Sequence, residues 1–268
     1  MKSLLIKVSF VLASLCGCAT WSEVGPKAKS NSLARAEVSE VDGEPVDVFL
    51  NSRMADVIIG LEISEVSYSE DGRLRLKPKR VSASETEFNL GSAVAISSDG
   101  YFLTAAHNVG GGHPVWLVSK SRADPYFGKA RVVWTMEKAD VALLHIEAQP
   151  SQFCMLAEAL PQPDSMVILG GHRWGNSAGR VVGITPQETG IDSFIEIEHN
   201  APMVKGDSGG PLIDSQGRLL GINHAWTTDH LWPRYHSTIA TAVTDLALRR
   251  IIEKDAAQQL IQSEATPL

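Results

Sequence analysis

Gly206-Asp207-Ser208-Gly209-Gly210-Pro211 sets a serine inside a glycine-rich turn, and the reading of that turn decides what the rest of the chain can be. Serine beside glycine is by itself an ordinary turn, because glycine reaches backbone conformations that a Cβ disfavours. Two upstream segments change its meaning. Leu103-Thr104-Ala105-Ala106-His107 ends an apolar run on a histidine, and Ala139-Asp140-Val141-Ala142-Leu143-Leu144 opens one on an aspartate. A serine hydroxyl is a poor nucleophile at neutral pH and needs a base within hydrogen-bond reach. An imidazole, titrating near pH ~6.5, can take that proton and return it to a leaving amine. A buried carboxylate then fixes the imidazole tautomer and stabilises the imidazolium. Backbone N–H groups of Gly206 and Ser208 are the expected donors to an oxyanion, where loss of one donor costs about 3 kcal/mol.

The three segments, in the order His107, Asp140, Ser208, resemble the pattern of the chymotrypsin-like (trypsin-like) serine proteases; subtilisins and α/β-hydrolases carry their triads in other orders. The resemblance runs over about residues 50 to 255. It implies an all-β fold of two six-stranded antiparallel β-barrels with a C-terminal helix, His107 and Asp140 coming from the first barrel and Ser208 from the second. It also implies a serine endopeptidase that cleaves peptide bonds in a protein or peptide substrate through an acyl-enzyme, with no cofactor and no metal. Gly221-Ile222-Asn223 is similar to HtrA-type proteases, although the short tail after the expected final helix leaves no room for a PDZ domain. The competing reading is an inactive or latent peptide-binding, chaperone-like member of the same fold; an esterase would use the same chemistry.

Asp207 raises a question of its own. In the digestive enzymes of this family the matching aspartate pairs with an N-terminus made by zymogen cleavage, and no Arg/Lys-Ile-Val-Gly-Gly start occurs here. A buried carboxylate needs partners. Arg173, in His172-Arg173-Trp174-Gly175, resembles the internal arginine that plays this part in some secreted bacterial proteases, while backbone donors are the alternative. The residue six before the nucleophile is Pro202, so a tryptic preference for Lys or Arg is not expected. Pro202, Asn223 and Ala225 are the expected pocket residues, with small or medium aliphatic side chains the preferred fit. His224 and His236 suggest a rival pocket for a carboxylate, but alternation along a strand would turn His224 to the other face.

The residues themselves also read as β-rich. Ala93 to Ile96 and Tyr101 to Thr104 flank Ser97-Ser98-Asp99-Gly100 as strand, turn and strand. Short apolar runs recur at 132–134, 141–146, 166–169, 180–184, 194–197, 212–213, 219–222 and 239–243, separated by Gly, Pro, Asn and Asp. Only the C-terminal end reads as a helix, with Thr244 as a cap and Leu248, Ile251 and Ile252 on one face.

The 268 residues carry 24 Lys+Arg against 31 Asp+Glu, a net charge of −7, and no basic run that would grip a nucleic acid. Residues 1–17 read as a signal peptide of lipoprotein type, because Leu15-Cys16-Gly17-Cys18 resembles a lipobox with Cys18 as the lipidated residue. Simple cleavage after Ala19 is the other possibility. Lipidation would anchor the protein to a bacterial cell envelope, at the outer membrane or in the periplasm; otherwise it is secreted. Residues 18–46 are polar enough to read as a flexible tether, 47–262 as the protease domain and 263–268 as a tail. Cys154 has no assigned role, and oligomeric state is open.

Overall fold

The computed structural model describes residues 22–23, 39–69, 74–79, 89–171, 175–188, 193–228, 236–243 and 247–265. The leader, Cys18, most of the expected tether, Arg173 and Thr244 lie outside the described residues.

The first body is one antiparallel sheet of seven strands: β1 (Met54–Ile59), β2 (Asn89–Ala95), β3 (Tyr101–Thr104), β4 (Val115–Ser119), β5 (Phe127–Lys129), β6 (Arg131–Met136) and β7 (Val141–His145). Their order is β5-β4-β1-β2-β3-β7-β6. The two edge strands, β5 and β6, are neighbours in the chain, separated only by Ala130. The sheet therefore curls until its ends meet, and β5 and β6 act as one strand bent at Ala130, which completes a six-membered wall. The second body is a closed barrel of β8 (Met166–Gly170), β9 (Asn176–Gln187), β10 (Phe194–His199), β11 (Pro211–Ile213), β12 (Leu219–Thr228) and β13 (His236–Ala242), in the order β8-β9-β10-β13-β12-β11. This is the all-β double-barrel architecture that the sequence leads one to expect.

The apolar runs are continuous because strands near the seam bury both faces. In β3, Phe102 points into the first barrel while Tyr101 and Leu103 join the seam between the barrels; in β7, Ala142 and Leu144 point in while Val141 and Leu143 join the seam. From the other side, Ile168, Ile213, Leu219 and Ile222 complete the seam, and Val167, Leu169, Leu212 and Leu220 fill the second barrel. A strand that alternates between two apolar environments needs no polar residue at either register.

Two helices lie against this seam. Helix α1 (Val46–Arg53) sits where no element is expected from the sequence, and buries Val46, Phe49 and Leu50 in it. Helix α2 (Leu248–Ala265) buries Leu248 there and packs Ile251 and Ile252 against it, as their shared face predicts. Leu260 and Ile261 are exposed. Asp255 of α2 takes a two-pronged bond from Arg131, 2.7 Å at each oxygen, and another from Tyr101 Oη at 2.9 Å, tying the chain's end back to the first barrel.

Candidate active site

His107 lies in a single 3-10 turn, Ala106–Asn108, directly after β3. Asp140 lies at the end of a second such turn, Glu137–Ala139, just before β7. Strands β3 and β7 pair, with Thr104 opposite Ala142, so these turns are neighbours at one end of the sheet. Asp140 adopts the left-handed conformation (φ 52°, ψ 44°), which aspartate tolerates better than most side chains. That bend carries its carboxylate back to His107. Oδ2 contacts His107 Nδ1 at 2.6 Å, Oδ1 accepts the His107 backbone N–H at 2.8 Å, and the Asp140 carbonyl accepts the Ala106 N–H at 3.1 Å. The carboxylate sets the ring's tautomer, placing the proton on Nδ1 and leaving Nε2 as a free base. The His107 side chain is 49% exposed, open to a substrate.

Ser208 lies in a turn held by backbone bonds from both barrels. Its carbonyl accepts the Ser92 N–H and the Asn108 side-chain amide, each at 2.9 Å. Asn108 also donates to Thr104 Oγ1, which donates to Ser92 O, and Ser92 Oγ donates to Gly206 O at 3.0 Å. From the second barrel, the Gly209 N–H donates to Asn223 O at 2.7 Å, and Asn223 gives both its backbone N–H and its side-chain amide to Gly210 O. Gly209 has φ +86°, and a Cβ there would stand 2.0 Å from Ser92 O, so the turn demands glycine. Because Asn108 follows His107 directly, its side-chain amide ties the His107 turn to the Ser208 turn through one hydrogen bond. The bond from Ser208 Oγ to His107 Nε2 is not made among the described residues; such bonds often tighten only when substrate arrives.

The Val204–Asp207 segment has a recognisable shape. The Asp207 N–H donates to Val204 O at 3.0 Å, and Gly206, third residue of that four-residue turn, has φ +103°. A positive φ at that position is the signature of a type II turn. Asp207 is 3% exposed, and its Oδ2 accepts the Val204 N–H at 2.9 Å, so a backbone donor does serve this carboxylate. The expected partner Arg173 lies outside the described residues. Gly171 packs so closely against Asp207 that a Cβ there would come within 2.5 Å of Oδ1. Lys120 holds the Gly171 carbonyl at 2.6 Å.

The expected pocket is brought together only in part. Pro202 is exposed and Ala225 half-buried, but Asn223 is fully buried. Its side chain is spent on Gly210 O and on His199 Nε2, at 2.9 Å each, so its place is behind the nucleophile turn, not in a pocket wall. His199 itself belongs to no motif that would single it out in the sequence. Because Asn223 donates its amide to Gly210, its Oδ1 must accept from His199 Nε2–H. Burial pushes His199 down to about 4, against the pull of the Asn223 bond. His224, expected to turn away from the pocket, stands 3.7 Å from Asp140 Oδ2. Cys154 is buried in the seam, and burial pushes its thiol up to about 12, which keeps it unreactive.

A histidine–aspartate pair and a glycine-framed serine on facing turns of a two-barrel structure are arranged as in a chymotrypsin-like fold. Comparison with known proteins carries this further. Residues 91–222 match the family model of the trypsin-like peptidase domain. Among curated proteins, a probable periplasmic serine endoprotease DegP-like of Brucella suis is 28% identical over 197 residues, covering 69% of this chain and 35% of the relative. The protein of the same description from Halomonas elongata is 32% identical over 163 residues, covering 56% and 32%. The chain thus spans about a third of the length of these relatives. Among solved structures, the active form of the Rv3671c protease from M. tuberculosis superposes with a TM-score of 0.55 at 20% identity, covering 82% of this chain and 92% of that one. The HtrA-type protease AlgW with decapeptide gives 0.56 at 19%, covering 78% and 66%. Residues 91–222 thus resemble a trypsin-like peptidase domain, and DegP-like and HtrA-type proteases are among the proteins the chain is similar to.

Proposed function

We propose that the chain is a serine endopeptidase in which Ser208 is the nucleophile, His107 the general base and acid, and Asp140 the group that orients the imidazole and balances its charge. The observation that carries this reading is the 2.6 Å His107 Nδ1···Asp140 Oδ2 contact, held one residue from the Asn108 bond to Ser208. In the first half-reaction Ser208 Oγ attacks the peptide carbonyl as its proton passes to His107 Nε2. The C–N bond then breaks as His107 returns that proton to the amine, leaving an acyl-serine. Water, deprotonated by the same nitrogen, releases the acid and restores the serine. Gly206 and Ser208 N–H donate to the carbonyl oxygen as it gains charge, and the type II turn at Gly206 is the conformation offered in support. Asp207 steadies that turn from beneath.

The substrate is a protein or peptide chain, in keeping with the peptide carried by AlgW, and the pocket around Pro202 and Ala225 favours small or medium aliphatic side chains. The catalytic unit is 47–262. The periplasmic description of the DegP-like relatives supports an envelope location, with Cys18 as the lipid anchor; Cys18→Ser should move the protein from the membrane fraction to the soluble one, and unchanged membrane association would remove the anchor from the proposal.

Reaction with a fluorophosphonate probe tests the chemistry. The native chain should label and Ser208→Ala should not. Equal labelling of both would show reaction elsewhere, and no labelling of either would favour a peptide-binding protein of the same fold.

A further inference from the structure

Strand β12 is irregular where it reaches the crevice. Asn223 pairs with Ala240 and Ala225 with Ile239, which leaves His224 as the extra residue of a β-bulge. A bulge re-aims its side chain out of strict alternation. Here the imidazole crosses to the first barrel: His224 Nδ1 stands 3.7 Å from Asp140 Oδ2, the oxygen that contacts His107 Nδ1 at 2.6 Å. The His224 side chain is 11% exposed, and its Nε2 is buried with no hydrogen-bond partner among the described residues. Beside it, Thr241 Oγ1 donates to Ala139 O at 2.5 Å, so the second barrel grips the Ala139–Asp140 corner with two side chains. A buried polar ring without a partner on one side is costly unless the other side is well used. His224 Nδ1 faces the Asp140 carboxylate at ion-pair distance, longer than a hydrogen bond.

We propose that His224 is a positioning residue for the triad, a second imidazole on the Asp140 carboxylate that steadies it while neutral and competes with His107 for it when protonated. The functional half of this rests on the serine peptidase reading; the contact itself does not. The charged groups facing His224 are Asp140 and His107 from the first barrel and Glu196 from β10. Burial holds the His224 imidazole below the ordinary histidine value, Asp140 and Glu196 pull it up, and His107 pushes it down again. At neutral pH the ring is therefore uncharged, with Nδ1 on the side facing Asp140. In acid, a protonated His224 sets a second positive charge beside the one carboxylate that orients His107. Each proton gained on His224 takes from His107 part of the charge that orients it.

Two measurements on the full chain decide this. In imidazole NMR titrations, Asp140→Asn should weaken proton binding at His224 about ten-fold, the effect of removing one charge at this separation in a water-like dielectric. An unmoved His224 midpoint would overturn the contact, whether or not the protein is active. In fluorophosphonate labelling across the pH range in which circular dichroism shows a folded chain, the native rate should fall toward low pH with a steepness approaching two protons. His224→Gln, which keeps an N–H donor but does not titrate, should show a one-proton limb. Near neutral pH His224→Leu should label about ten-fold slower, and His224→Gln should recover most of that loss. Parallel acid limbs in the native chain and His224→Gln would overturn the competition. Absence of labelling in every form would count against the peptidase reading instead, and the NMR titration would still decide the contact.

Discussion

In the first barrel an imidazole and a carboxylate are joined side chain to side chain: His107 and Asp140 meet through one 2.6 Å contact and two bonds involving backbone groups, all within turns that flank paired strands. In the second barrel the serine is placed through its backbone. Ser208 O is fixed by Ser92 and Asn108 from across the crevice, Gly209 and Gly210 by Asn223 from behind, and Gly206 O by Ser92. The His107–Asp140 pair is thus joined within the first barrel and half-exposed, with only Thr241 and His224 reaching its corner from the second, whereas the Ser208 turn is held by backbone bonds distributed over both barrels. A local pair can lose its chemistry without loosening the fold. A distributed turn cannot, because the bonds that aim it are also bonds that close the barrels together.

Asp140→Asn tests the local half and carries the largest expected effect. An amide in this place presents its NH2 to His107 or favours the wrong ring tautomer, and kcat should fall about 10⁴-fold. One carbonyl oxygen remains to accept the His107 N–H, so the melting temperature should move by only about 3 °C or less. Steady-state kinetics with a thermal melt reads both numbers. A large melting shift would mean that the pair is structural, and the contrast between the two halves would collapse.

Asn223→Ala tests the distributed half. It removes the second donor to Gly210 O and leaves His199 Nε2–H without its acceptor, both fully buried. Unsatisfied groups of this kind cost about 3 kcal/mol together, roughly 10 °C in a domain of this size. Labelling of Ser208 should slow in parallel, because the turn that Asn223 braces is the one that aims the hydroxyl. Loss of stability with an unchanged labelling rate would show that the turn holds its shape without the bond.

The sequence makes the local half far more legible than the distributed one. His107, Asp140 and Ser208 stand out because the chemistry needs those side chains, and Tyr101–Thr104 and Val141–His145 because strands buried on both faces read as unbroken apolar runs. The partners of the serine turn leave no local mark. Asn108 reaches Ser208 across 100 residues and Ser92 reaches Gly206 across 114, separations that no periodicity records. Asn223 is misplaced by sequence reasoning for a related reason: the pocket walls are inferred from the family's pattern around the nucleophile, and the bonds that hold Asn223 to Gly210 and His199 leave no local mark. Helix α1 escapes notice because its apolar residues Val46, Phe49 and Leu50, although at helical spacing, span little more than one turn and straddle the expected boundary between tether and protease domain.

Acid should separate the two halves by the smallest of these effects. His199 is buried behind the nucleophile turn with an imidazole pushed down from 6.5 to about 4. The native state therefore holds it neutral while the unfolded chain binds a proton below about 6.5, so the unfolded state gains protons first as pH falls. The stability this burial permits is complete above the unfolded value and is lost progressively between pH 6.5 and about 4, below which it levels off. Near pH ~5 the loss should be about 2 kcal/mol, since a tenfold difference in proton affinity between the two states corresponds to about 1.4 kcal/mol. His199→Gln keeps a donor for Asn223 Oδ1 and cannot titrate, so its stability should fall less between neutral pH and pH ~5, by about that amount, in denaturant unfolding. The variant fits the barrel less well and should be no more stable than the native chain at neutral pH. If both proteins lose stability equally in acid, the sensitivity lies elsewhere, His145 and His224 being the other rings that burial holds down, and the nucleophile half would not be the part of the molecule that acid loosens first.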